Sequence, residues 1–167
     1  IVAGLSDAFN GTPSRVSQDD LSASFKVIRE QMQAQAQAQA EAAAAAGVAF
    51  LAENAKKAGV TVLASGLQYE VLTAGEGAKP SASDNVRTHY HGTLIDGSVF
   101  DSSYERGEPA EFPVSGVIAG WVEALQLMNT GSKWRLTVPS ELAYGGQAAG
   151  SIPPHSVLVF DVELLAV

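Results

Sequence analysis

The stretch Val86–Asp101, VRTHYHGTLIDGSVFD, decides what kind of domain this chain holds. It reads as a strand, a turn at Asp96-Gly97 and a second short strand ending on Phe100-Asp101, because an Asp-Gly pair between alternating apolar residues signals a hairpin. An aspartate directly after an apolar Phe leaves its carboxylate two options. It escapes to solvent, or it sits at the rim of an apolar pocket with a partner that stabilises the charge. In the first strand His89 and His91 share one face, and Tyr90 points the other way.

Outward from this hairpin the alternating pattern recurs. Leu67, Tyr69 and Val71 mark one strand, Trp134, Leu136 and Val138 another, and Leu158, Phe160, Val162 and Leu164 a last one, with a short strand at Glu111–Val114. Only one helix interrupts them, with Ile118, Trp121, Leu125 and Met128 at intervals of three, four and three. One short helix against an antiparallel sheet predicts an α+β domain. Between the last two strands, Ser140–Ser156 is a long segment rich in Gly and Pro, and loops of that length in compact domains are usually functional.

Before Gly59 the period is helical. Val2, Leu5 and Phe9 fit the tail of one helix ended by Gly11. Ser17 then caps a second, with Asp19 and Asp20 in its first turn and an apolar stripe at Leu21, Phe25, Ile28 and Met32. The tract Gln33–Ala46, QAQAQAQAEAAAAA, consists of strong helix formers with almost nothing to bury. It reads as a solvated continuation of that helix, or as a flexible linker. A helix over Gln18–Lys57 would be ~60 Å long at 1.5 Å per residue, with Gly47 a point of weakness inside it. Such a helix has no core of its own, so the preceding helix or a second subunit must cover its stripe. The organisation expected is an all-α arm with a long linking helix over residues 1–59, followed by a domain over 60–167. The chain opens on Ile1 in mid-helix, so an upstream segment is expected.

Composition narrows the partners. The chain has 167 residues and a net charge of −8, which opposes a phosphate backbone or an anionic membrane surface, so nucleic acid is not an expected partner. No apolar run approaches the ~20 residues of a membrane span. The expected compartment is the cytoplasm, with the periplasm or cell surface as the alternative. Without cysteine there are no disulfides, thiolate metal sites or Cys nucleophiles.

Familiar catalytic constellations are absent. No Ser lies in a G-x-S-x-G setting beside the three His, so a hydrolase is not supported. His89 and His91 lack a third ligand and read as a solvated strand face rather than a metal site. Gly75-Glu-Gly77 is a turn, too short for a dinucleotide fingerprint. What remains is aromatic: Tyr90, Phe100, Trp121, Tyr144 and Phe160 fall on inward phases or in the long loop, as an ordinary aromatic core or as a site.

The stretches HYHGTLIDGSVFDSS, VIAGW, ELAYG and IPPHSVLVFDVELL, in this order and spacing, resemble the FKBP-type peptidyl-prolyl cis-trans isomerases. The resemblance covers about Leu67–Leu165. The N-terminal part, best around AFLAENAKKAGV, is similar to the helical dimerisation arm of the bacterial Mip-like subgroup. The resemblance implies a twisted antiparallel sheet wrapped around one short helix, with a pocket between them. It implies Tyr90, Phe100, Asp101, Trp121, Tyr144 and Phe160 as catalytic, and Arg106, Phe112, Val117, Ile118 and Ile152 as substrate- or inhibitor-binding. Ala110 and Ala148 depart from the better-known pattern of an aromatic and a His, which thins the rim. The implied activity is isomerisation of Xaa-Pro bonds in unfolded or partly folded proteins, and the rival is a proline-binding or chaperone module with little turnover. No cofactor or metal is implied. The implied partners are proline-containing polypeptides, the macrolides rapamycin and tacrolimus, and a second copy bound through the N-terminal helices.

Overall fold

Ser17 begins the first element of the computed structural model, which describes residues 17–167. Its hydroxyl accepts the Asp20 N–H at 3.0 Å, and two acids in the first turn meet the positive end of the helix dipole, so α1 runs over Gln18–Asn54. The expected preceding helix, with Val2, Leu5 and Phe9, lies outside the described residues. The Ala/Gln tract is helical throughout, as Ala propensity favours.

The chain divides into two compact units, residues 1–38 and 39–167. In the first, Leu21, Phe25, Ile28 and Met32 are all exposed. In the second, the tail of α1 departs from the expectation of a bare solvated helix. Ala40, Ala43, Ala44, Gly47, Phe50, Leu51 and Asn54 are partly or fully buried, a helical repeat of one face. Asn54 Nδ2 donates to Gln68 Oε1 at 2.9 Å and to Thr137 Oγ1 at 3.2 Å, while Gln68 Nε2 donates to the Leu51 carbonyl at 2.9 Å. The change of period marks residue 59 in the sequence, but packing draws the helix from Gln39 onward into the second unit.

That unit is built on a seven-stranded antiparallel sheet: β1 Val60–Val62, β2 Gln68–Thr73, β3 Asn85–Leu94, β4 Val99–Ser102, β5 Ala110–Pro113, β6 Lys133–Val138 and β7 Leu158–Ala166. The order is β1-β2-β6-β7-β3-β4. β5 pairs with the first half of β3 and β4 with the second, on the edge opposite β7. The hairpin turn has Gly97 at φ 89°, which glycine adopts without strain. Two short helices follow, α2 Ser103–Arg106 and α3 Ala119–Leu127.

Strict alternation on β3 puts Val86, Thr88, Tyr90 and Gly92 on the buried face. Trp121, Ala124 and Leu125 of α3, with Met128 just after it, face the same core as Leu136, Val138, Leu158, Val162 and Leu164. The sheet therefore wraps one face around α3, as expected for this α+β class.

Candidate active site

Four strands, the start of α3 and one loop meet at one end of that core. Tyr90 comes from β3, Phe100 and Asp101 from β4, Phe112 from β5, and Phe160 from β7. Val117 and Ile118 precede α3 and Trp121 lies in its first turn. The Ile118 carbonyl accepts the N–H groups of Trp121 and Val122 and so opens the helix. Tyr144 and Ile152 belong to the loop between β6 and β7. Together they line one cavity of about 640 Å³, with Gly116 and Ala149 completing the wall.

Of the catalytic and binding residues that the resemblance implies, all line this cavity except Arg106, which acts on it through its neighbours. Ser102 caps α2, accepting the Glu105 N–H, and Gly107 ends the helix after one turn at φ 76°. That turn brings Arg106 back over the hairpin. Its Nη2 donates to the Tyr90 hydroxyl oxygen at 2.8 Å, its Nη1 pairs with Asp101 Oδ1, and Tyr90 donates to Asp101 Oδ2 at 2.5 Å. The aspartate thus takes the second of its two options, at the rim with partners.

The electrostatics follow from this triangle. Partial burial pushes the Asp101 carboxyl up, but the hydrogen bonds from Tyr90 and Arg106 and the guanidinium charge outweigh it and hold the carboxyl below its ordinary value. Burial pushes the Tyr90 phenol above its ordinary value, reinforced by its bond to Asp101 and opposed by Arg106. Asp101 is the one charged side chain among the lining residues.

The floor is aromatic. Trp121 is 4% exposed and meets Tyr90, Phe112 and Phe160 edge-on, at centroid distances of 5.3, 5.9 and 5.2 Å. Phe100 meets Phe160 edge-on at 5.4 Å. Edge-to-face is one of the favoured arrangements of aromatic rings, so the four contacts hold these side chains against one another. Trp121 Nε1 is buried without a hydrogen-bond partner, an exception of the kind that collects at functional sites.

Gly92 belongs to this site and was not singled out from the sequence. An added Cβ would lie 2.7 Å from Phe100 Cζ and 2.9 Å from Phe160 Cε1, so only glycine lets both rings close over β3. Its signal was a glycine inside a strand pattern, the mark of a close approach. Ala148, expected at the rim, is exposed, and its neighbour Ala149 lines the cavity.

The histidines stay outside. His89 Nδ1 lies 2.9 Å from Ser103 Oγ, and His91 Nδ1 lies 3.0 Å from Ser102 Oγ. Among the described residues no group of three or more His, Cys, Asp or Glu could hold a metal. No helix of the described residues is long and apolar enough to cross a membrane.

The site is an aromatic cavity with a single carboxylate at its rim, held between the sheet and the start of α3. The chain belongs to the FKBP-type peptidyl-prolyl cis-trans isomerases, whose family model matches residues 76–165. A second family model, the domain amino-terminal to FKBP-type peptidyl-prolyl isomerase, matches residues 1–71. The chain is 56% identical over 168 residues to the FKBP-type 22 kDa peptidyl-prolyl cis-trans isomerase of Escherichia coli (strain K12), covering all of this chain and 82% of that one. It is 43% identical to the outer membrane protein MIP of Legionella longbeachae, covering all of this chain and 74% of the relative. The crystal structure of FkpA from Escherichia coli superposes with a TM-score of 0.83 at 42% identity, over 98% of this chain and 78% of that one.

Proposed function

We propose that this isomerase acts on Xaa-Pro bonds of unfolded or partly folded polypeptides, as a homodimer joined through its N-terminal helices. The observation that carries the catalytic part is the cavity of about 640 Å³ whose floor and walls are Trp121, Phe100, Val117 and Phe160. Rotation about an Xaa-Pro bond faces a barrier of about 18–20 kcal/mol because amide resonance must break, yet no covalent bond is cleaved. At the twisted amide the carbonyl oxygen loses charge and the nitrogen regains its lone pair. That form is less polar than the planar one, and an apolar, water-poor site favours it.

In this reading Trp121 underlies the prolyl ring, and Phe100, Val117 and Phe160 enclose it. Phe112 and Ile152 extend the walls. The Ile118 N–H and the Tyr144 hydroxyl donate to peptide carbonyls and hold the chain across the mouth. Asp101, fixed by Tyr90 and Arg106, orients the bound chain from the rim. Each ~1.4 kcal/mol of preference for the twisted form gives about tenfold in rate. The same apolar floor would take the macrolides rapamycin and tacrolimus, with weaker rim contacts because Ala110 stands where an aromatic is common.

The homodimer is supported by the stripe Leu21, Phe25, Ile28 and Met32, which is 42%, 64%, 51% and 66% exposed and repeats at helical spacing. Large apolar side chains on one helical face, uncovered, suit a symmetric partner. A protease-coupled isomerisation assay with proline tetrapeptides at low temperature tests the catalytic reading, with sedimentation for the dimer. Binding of the peptide or of rapamycin without turnover would mean a binding module instead.

A further inference from the structure

Gly47 stands inside a run of alanines, the residues best suited to a helix, and glycine there costs about 1 kcal/mol relative to Ala. The structure supplies a reason for it. Gly47 is buried, and an added Cβ would lie 2.7 Å from Val157 Cγ2 and 4.0 Å from the His155 carbonyl. Val157 is 4% exposed but is not part of the main apolar core; the helix buries it. In the turns before it, Ala42, Ala43 and Ala46 line a small cavity together with Leu94, Pro153 and Val157.

Val157 ends the loop that carries Tyr144 and Ile152, and that end is tied back to the pocket. His155 sits at φ 57°, a left-handed conformation uncommon outside glycine, and its N–H donates to the Gly145 carbonyl at 2.8 Å. Its imidazole packs on Gly146, where an added Cβ would lie 3.1 Å from Cε1. Gly145 follows Tyr144 directly. Its own N–H donates to the Ser140 carbonyl at 2.8 Å, and Ala149 and Ile152 exchange two backbone bonds at 3.0 and 2.9 Å. The loop is a clipped unit with one end braced on α1.

We propose that the tail of α1 buttresses the pocket loop, and that Gly47 and Val157 are positioning residues for isomerisation through Tyr144 and Ile152. A side chain at 47 has to push Val157 away. The displacement passes through His155 and Gly145 to the Tyr144 hydroxyl, while β3, β4 and α3, which carry the floor and the Asp101 triangle, stay in place.

The test uses the full chain with Gly47→Leu, Gly47→Ala, Val157→Ala and the double variant Gly47→Leu/Val157→Ala, assayed on a proline tetrapeptide well below each variant's Tm. Gly47→Leu should lower kcat/KM by roughly tenfold, since a misplacement near 1 Å carries costs of that order or more. The double variant should recover to within about threefold, the non-additivity expected of residues in contact. Gly47→Ala, which adds one methyl, should fall about threefold by the same argument and decides the matter if the Leu variant does not fold. A purely structural contact would lower Tm and leave kcat/KM of the folded protein unchanged. That outcome, or a loss that Val157→Ala does not relieve, would overturn the proposal.

Discussion

The Tyr90 hydroxyl reaches Asp101 Oδ2 at 2.5 Å, and Arg106 bonds to both, so the rim carboxylate is held from two sides by groups of different character. One is a neutral donor rooted in the core strand, the other a cation on a one-turn helix. If the carboxylate orients bound peptide, its removal should cost rate more than fold, because Asp101 is only half-buried. Asp101→Ala is expected to lower kcat/KM on tetrapeptides by at least about tenfold, or ~1.4 kcal/mol of transition-state stabilisation. Tyr90→Phe should lose less, since Arg106 remains. Unchanged kcat/KM and unchanged rapamycin binding in Asp101→Ala would show that the pocket has been assigned wrongly.

The same triangle sets the pH dependence. Asp101 has its pKa depressed in the fold, so the stability it contributes is fully present above the unfolded value of about 3.9 and is lost as pH falls through the folded value. Tyr90 has its pKa raised, so its contribution is present below about 10 and is lost as pH rises through the folded value. Between roughly pH 5 and 9 neither group titrates, and kcat/KM should be level. An inflection inside that window in a tetrapeptide pH-rate profile would mean that another group controls turnover.

Gly92 offers a test of shape without any change of polarity. In Gly92→Ala the new methyl must displace the rings of Phe100 and Phe160, whose nearest atoms lie 2.7–2.9 Å from its place. Overpacking of this kind typically costs about 1–3 kcal/mol, and here the rings that move are the pocket walls. A fall in Tm with a larger fractional fall in kcat/KM is expected. Loss of Tm alone, with turnover intact at low temperature, would show that the walls tolerate the shift.

Asn54 carries the docking of α1 on the sheet. It is 8% exposed and bonds to Gln68 and Thr137, which are 4% and 2% exposed. Asn54→Ala removes the donor to the buried Gln68 Oε1 and Thr137 Oγ1, at a cost of about 1–3 kcal/mol. A lower denaturant midpoint at an unchanged m-value is expected; an unchanged midpoint would mean that water replaces the amide.

Much of this was legible because strands and pockets write period-two patterns with large side chains. Tyr90, Phe100 and Asp101 stand at alternating or terminal positions of one hairpin, and Trp121, Leu125 and Met128 at helical ones. The docked face of α1 was not legible. Ala40, Ala43 and Ala44 are half-buried while Ala42 and Ala46 are exposed, and no difference in side chain among these alanines marks which is which. Strand β1 and helix α2, three and four residues long, are set by pairing with β2 and by the Ser102 cap, not by any period of their own. The exchange of Ala148 for Ala149 at the rim has the same origin, since a one-residue difference in a Gly-rich loop changes no pattern.

The two units also predict different losses on truncation. A fragment beginning at Gln39 keeps Gly47, Phe50, Leu51 and Asn54 on the sheet and discards Leu21, Phe25, Ile28 and Met32. It should be folded and monomeric, because the stripe assigned to the partner is gone. A tetrapeptide has one proline and needs one pocket, so its turnover should match the full chain. An unfolded protein engages a dimer at two points, and the second engagement draws on a high effective concentration that the monomer lacks. Acceleration of proline-limited refolding should therefore fall by about tenfold or more in the fragment. A shorter fragment from Val60 removes Asn54 and Gly47 as well, so it should lose stability and, if the buttress holds, tetrapeptide turnover. Sedimentation of the three proteins beside both assays separates these effects. A Gln39 fragment that stayed dimeric, or that catalysed refolding as well as the full chain, would refute the role given to the apolar stripe.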